Sequence, residues 1–248
     1  MSQQSLPKAL WQKTVTNIIE KLGLQEVTAA DGGPYITYTS HLPMAQGEVG
    51  NFRLYKGDSI YQLCTCSIVV PAIQLDSHMM FAFTHNHSAV PHFTLDSVEA
   101  GGHCAFHLDL IPRLDLGANL AYMNEVFDPL TETHKAAKAL EGLSPAEIGP
   151  RQFAVMSPWM YVSRATPDAF AKIDGTVEAY ANHWLSVLAK GVSEEALGGV
   201  TADQLAVRNQ RNKDIIFDPD VDRVWAQITP LIGAEHSEAT RLMLKKCD

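Results

Sequence analysis

Apolar residues change their period twice along the chain. Over residues 6–24, Leu10, Trp11, Val15, Ile18, Ile19 and Leu22 recur at helical spacing and Gly23 follows as a stop signal, which predicts a helix covering a core. From 35 to 70 the period falls to two. Residues 35–38, 50–55 and 60–70 read as strands, parted by turn-rich stretches at 43–47 and at Lys56-Gly57-Asp58. Residues 79–83, 93–98 and 105–111 continue the series, and Gly101-Gly102 separates the last two, so three consecutive antiparallel strands are expected there. After Pro112 the texture turns helical. Residues 120–140 read as helical or mixed, and 142–158 is broken by Pro145, Pro150 and Pro158. Thr166-Pro167-Asp168 opens a helix, interrupted at Gly175, with Thr as N-cap and Pro at the first helical position. Val177, Tyr180, Ala181, Trp184, Leu185 and Leu188 lie on one side of it. Further helices are predicted over 202–217, from Asp218 through Val224, Trp225, Ile228 and Ile232, and over 237–246.

Strands in a run, followed by helices in a run, argue for an α+β fold rather than a doubly wound parallel sheet. The expectation is a three-layer α/β/α sandwich with a central, mainly antiparallel sheet, built as one domain over residues 1–248 without internal repeats.

Composition narrows the function. With 46% apolar and 19% charged residues, and a formal net charge of -9, the chain lacks the basic surface that drives nucleic-acid binding and would be repelled by anionic membranes. The opening MSQQSLPKALWQK has no apolar signal region and no apolar run nears the ~20 residues of a membrane span, so a cytoplasmic protein is expected. Cys64, Cys66, Cys104 and Cys247 fall at no zinc-ribbon or redox-pair spacing and read as reduced thiols.

The chain contains no glycine-rich nucleotide loop of the GxGxxG or GxxxxGK[ST] type and no GxSxG. Three groups remain as candidates. Six of the ten histidines lie between His78 and Pro112, including His85, His87, His92, His103 and His107. Imidazoles suit transition metals, but no recognised ligand spacing is present, and histidines lining a polar pocket or a sheet end fit better. The second candidate is Asp96, a carboxylate inside an apolar strand between Leu95 and Val98. Facing a cavity it would be raised by desolvation into a proton donor; bonded to backbone amides it would be structural. The third is the run Arg208-Asn209-Gln210-Arg211-Asn212-Lys213-Asp214, in which Arg208, Arg211 and Asn212 share a helix face that either clamps carboxylates or stays solvated.

PHFTLDSV, at 91–98, resembles the P-x-F-x-x-D-x-V strand of the ferredoxin-dependent bilin reductases of phycocyanobilin:ferredoxin oxidoreductase type, whose superfamily includes red chlorophyll catabolite reductase. QLDSHMMFAF at 74–83 is similar to the preceding strand, Ser157-Pro158-Trp159 to the opening of a later strand, and QRNKD at 210–214, with Val224-Trp225 beyond, to the C-terminal basic helix and its Trp. The resemblance implies the same sandwich. A linear tetrapyrrole such as biliverdin would bind between the sheet and the C-terminal helices and be reduced by radical steps. Electrons would come from an external [2Fe–2S] ferredoxin and protons from side chains, with no bound cofactor.

Carried over by position, Asp96 matches the catalytic aspartate, and Arg211 and Lys213, with Arg208 beside them, match propionate contacts. Asn212, Met79 and Phe93 join the expected substrate contacts, Met79 standing where some members have a catalytic histidine. A glutamate used elsewhere falls within Thr65-Cys66-Ser67, where no carboxylate stands, and the helix carboxylate falls at Lys213 with Asp214 next to it. These departures favour a two-electron reduction with Asp96 as principal donor and His85, His87, His92 or Asp214 supplying a missing acid. The alternatives are reduction of a chlorophyll-derived linear tetrapyrrole, or a non-catalytic bilin or haem carrier.

Overall fold

In a computed structural model describing residues 5–248, the period-two segments pair into a nine-stranded sheet among the described residues. The strands are β1 (Gln25–Val27), β2 (Ile36–Ser40), β3 (Gly47–Lys56), β4 (Gln62–Val70), β5 (Leu75–Phe83), β6 (His92–Ala100), β7 (His103–Ile111), β8 (Leu143–Ser144) and β9 (Tyr161–Ala165). Their order is β1-β3-β4-β5-β6-β7-β9-β8, with β2 also on β3, and each of these pairings is antiparallel. The sheet with helices on its faces is the expected α+β sandwich.

Two local features set the register at its centre. Gly101 and Gly102 have φ of 57° and 80°, a turn that only glycine adopts readily at both positions, and it opposes Ala100 to His103. Pairing then places Asp96 opposite His107 on one flank and Met79 on the other. In β3, Gly50 lies so close to β4 that an added Cβ would sit 1.9 Å from the Ser67 carbonyl oxygen.

Alternation divides the sheet's side chains between two cores. Met80, Leu95, Leu108 and Tyr161 form a row across β5, β6, β7 and β9 and pack with α1 (Leu6–Leu22) and α3 (Asp174–Lys190), while Ala137 of α2 (Thr131–Lys138) joins the same core. Helix α1 starts on a Ser5 cap and stops at Gly23, whose φ is 62°. The Trp11 indole donates to the Met79 carbonyl and the Ser97 hydroxyl to that of Pro7, locking the helix to β5 and β6.

The opposite core holds Cys64, Met79, Phe81 and Phe83 of the sheet against Ile216 of α4 (Ala202–Ile216), Phe217, and Trp225, Ile228 and Ile232 of α5 (Val224–Lys245). Each large apolar side chain so enclosed contributes about 1.5–3 kcal/mol. The two C-terminal helices expected from the sequence are both present as the halves of α5, parted at Gly233, whose φ of 81° and ψ of 159° are not helical, three residues after Pro230. The break expected at Gly175 falls just before Asp174, where α3 begins after a single turn at Pro167–Phe170. The proline-broken segment lays Val155 and Met156 on this second core.

Candidate active site between the sheet and the C-terminal helices

The row next to Met80–Leu95–Leu108 points the other way, toward α4 and α5, and it is polar at its centre. It runs Cys66, Met79, Asp96, His107, Val162 across five strands. The Asp96 side chain keeps 30% of its exposure, and its Oδ2 lies 3.5 Å from Nδ1 of His107. One step along, the row Phe81–Thr94–Asp109 adds a second carboxylate. Asp109 is fully buried and accepts from the backbone N–H of Ser157, at 2.9 Å, and from its hydroxyl. It thereby ties the end of the proline-broken segment to the sheet. Asp222, in the turn before α5, accepts from the Val224 N–H at 3.0 Å and lies within the field of both Asp96 and His107.

These groups shift one another. Burial raises Asp222 to about 6, and Asp96 adds to the rise, against the Val224 hydrogen bond and the charge of His107. Burial likewise raises Asp109, opposed by His107 and the Ser157 bonds. For His107, burial pulls down, but Asp96 beside it, then Asp109 and Asp222, turn the balance upward, so the ring holds its proton more firmly than an ordinary imidazole.

Several buried polar atoms near this row have no protein partner. They are Asp96 Oδ1, His107 Nε2 and Thr94 Oγ1 on the sheet, and Asn212 Oδ1 and Trp225 Nε1 on the helices above. An unmet buried polar atom costs about 1–3 kcal/mol, so five of them around one layer mark a place for a polar ligand. Cavities flank it. One of about 540 Å³ lies between Val155 and α4, lined by Arg208, Arg211, Asn212 and Ile215. Another of about 580 Å³ extends over Val162 beside Met156 and Ser157, with Lys138 at its edge.

The expected site residues divide accordingly. Asp96 and Met79 are neighbours on the sheet floor, and Arg208, Arg211 and Asn212 share one cavity, Arg208 also donating to the Pro112 carbonyl. The others are elsewhere. Phe93 has the wrong parity: it points into the α1–α3 core and packs on Trp184 at 5.7 Å between ring centres. Lys213 is fully buried, its ammonium donating to the Lys246 carbonyl and lying 3.8 Å over the Phe83 ring, and burial lowers it to about 8. It is a strut between α4 and the chain end, out of reach of a propionate.

His92 is also fully buried with both ring nitrogens engaged, Nδ1 accepting from Thr84 N–H at 3.1 Å and Nε2 donating to Asn209 at 2.7 Å. Burial, with Arg113 and Lys213 nearby, holds it well below the usual imidazole range, so it is no proton donor at neutral pH. His85 pairs with Asp248 at the surface and stacks on His87, and Asp214 accepts from Gln210 on the exposed side of α4. Among the described residues no group of three or more His, Cys, Asp and Glu is placed to hold a metal ion. Asp109 and Asp222 were not expected at the site, and His107 was expected only as one of the histidine group, not beside Asp96. The signal for His107 and Asp109 was the Gly-Gly turn, which fixes their places opposite Asp96 and Thr94.

No protein-family model and no curated protein matches the sequence. In structure the chain is similar to selenomethionine-labelled phytochromobilin synthase from tomato, solved in complex with biliverdin, with a TM-score of 0.75 over 96% of this chain and 82% of that one at 16% identity. At that identity the likeness establishes the fold. No helix among the described residues is long and apolar enough to cross a membrane.

Proposed function

We propose that this protein is an oxidoreductase that reduces an open-chain tetrapyrrole of the biliverdin class, held in the layer between the sheet and α4–α5. The observation that carries the reading is the unpartnered Oδ1 of Asp96 on the floor of that layer, beside His107 and within the field of Asp222, in a fold also solved elsewhere around biliverdin. A linear tetrapyrrole brings what the layer lacks. Its pyrrole N–H groups and lactam oxygens would meet the Asp96 and Asn212 oxygens and the Trp225 N–H, while Met79 and Phe81 contact its apolar rim. Its two propionates would reach Arg208 and Arg211, whose forked guanidinium groups suit carboxylates.

The chain's part in the chemistry is protonation. Electrons arrive singly from an external donor of the [2Fe–2S] ferredoxin type, and Asp96 delivers a proton to the reduced ligand. Asp222, raised to about 6, sits within the field of Asp96 and His107 and bears on their charge. The two-electron outcome suits a floor with no carboxylate at Thr65, Cys66 or Ser67.

Biliverdin added to the protein should show a shifted visible spectrum, and reduced ferredoxin without oxygen should convert it to a product lacking one double bond. Asp96→Asn should bind and fail to turn over. Binding without any reduction by wild type would point to a carrier, and unchanged turnover in Asp96→Asn would remove the assignment.

A further inference from the structure

We propose that His107 is a second proton donor to the tetrapyrrole, acting from the flank of Asp96 opposite Met79. The inference rests on the reductase reading above. The strand on one side of Asp96 offers only a thioether, and the strand on the other offers an imidazole directly across the ladder. Nδ1 of that ring lies 3.5 Å from Asp96 Oδ2, an ion-pair contact that turns this nitrogen toward the carboxylate. Nε2, on the far side, is buried and meets no protein acceptor. A ring steered at one nitrogen and bare at the other holds its second N–H for something the protein does not supply.

The groups around the ring favour its protonated form. Asp96 lies across the ladder on β6, Asp109 two residues along β7, and Asp222 comes from the turn before α5. Among the charged groups acting on the ring, these three carboxylates have the largest effect. Buried Asp109 is also held by Ser157, so the field on His107 is set by fixed groups rather than by mobile surface side chains.

Saturating one carbon–carbon double bond takes two electrons and two protons. Two successive one-electron transfers from a reduced iron–sulfur protein supply the electrons. Asp96, charged in its resting pair with His107, takes up a proton from solvent and passes it to carbon, and the His107 imidazolium transfers the other from Nε2. The site is left with a carboxylate and a neutral imidazole, which regains its proton from solvent.

The test is anaerobic single-turnover reduction of bound biliverdin by reduced ferredoxin, followed by visible and electron paramagnetic resonance spectra. His107→Gln should bind biliverdin and accept the first electron. The radical should then persist, with product forming about 100-fold more slowly, the usual scale for losing a general acid. The wild-type rate should fall as pH rises through the His107 pKa, and that limb should vanish in the variant. His107→Ala with added imidazole should regain part of the rate, which a purely structural role would not allow, and this variant decides the matter if His107→Gln fails to bind. Wild-type turnover with unaltered rate and pH profile in His107→Gln, or no rescue of His107→Ala, overturns this proposal alone. A wild type that leaves biliverdin unreduced overturns the reductase reading and this proposal with it.

Discussion

Lys213 offers a sharp test of which basic residues of α4 serve a ligand and which serve the fold. Its ammonium is fully buried, donates to the Lys246 carbonyl and lies over Phe83, with no carboxylate bonded to it. Burial lowers its pKa from 10.5 to about 8. At 1.36 kcal/mol per pKa unit, that fall corresponds to ~3 kcal/mol. Because the folded value lies below the unfolded one, the unfolded chain binds more protons between pH 8 and 10.5. Stability from this group therefore rises with pH across that window, and the penalty for the buried charge is fully present below pH 8. Lys213→Met removes the titration and keeps much of the volume. Urea unfolding of both proteins at pH 7, 9 and 10.5 should show the variant losing ground to wild type by ~3 kcal/mol between the ends of the series. Biliverdin affinity should change little, whereas Arg211→Ala should weaken it about tenfold or more, the scale of one lost charged hydrogen bond. A pH-independent difference in stability, or a loss of affinity in Lys213→Met matching that of Arg211→Ala, would refute the argument and return Lys213 to the ligand.

Two further outcomes follow from the packing of the sheet and of the turn before α5. Gly50→Ala puts a Cβ 1.9 Å from the Ser67 carbonyl oxygen, so β3 and β4 must part locally; a loss of ~2 kcal/mol or more is expected, seen calorimetrically as a Tm lower by several degrees. Asp222 rises from 3.8 to about 6 on folding, so its contribution to stability grows as pH falls through 6 toward 4. Asp222→Asn should therefore exceed wild type in stability at pH 7, on the order of 1–3 kcal/mol, with the advantage fading by pH 4 in urea titrations; an equal or larger advantage at pH 4 would contradict the burial of this carboxylate.

The layers were legible because periodicity is a statement about which side of an element meets apolar neighbours. Strands β2 to β7 and the long helices each carry enough residues for that pattern to show. Strands β1 and β8, of three and two residues, do not, and only their pairing with β3 and β9 makes them strands. The partner of Asp96 was legible by a different route. Two glycines between two strands imply a two-residue turn, and counting back from it opposes Asp96 to His107. Asp222 had no such signal, being one of three acids in Asp218-Pro219-Asp220-Val221-Asp222, singled out only by where the turn before α5 comes to rest.

The same counting separates ligand-facing from fold-facing residues where motif matching merged them. On β6, positions of Asp96's parity reach the α4–α5 layer, so Phe93 belongs to the opposite core whatever its place in a motif. On α4, Leu205, Asn209, Lys213 and Ile216 are buried and spaced as one helical stripe, which places Lys213 on the inward side. That stripe is unusual in being half polar. Asn209 bridges His92 and Asn86, and Lys213 holds the chain end at Lys246. Such bonds are directional, so they fix the roll of α4 about its axis more tightly than apolar contacts would. With the roll fixed, Arg208, Arg211 and Asn212 are held toward the cavity beside Val155. Asn209 alone keeps two of these directional bonds when the Lys213 bond is lost, so the roll outlasts Lys213→Met and the lysine serves the fold rather than the ligand.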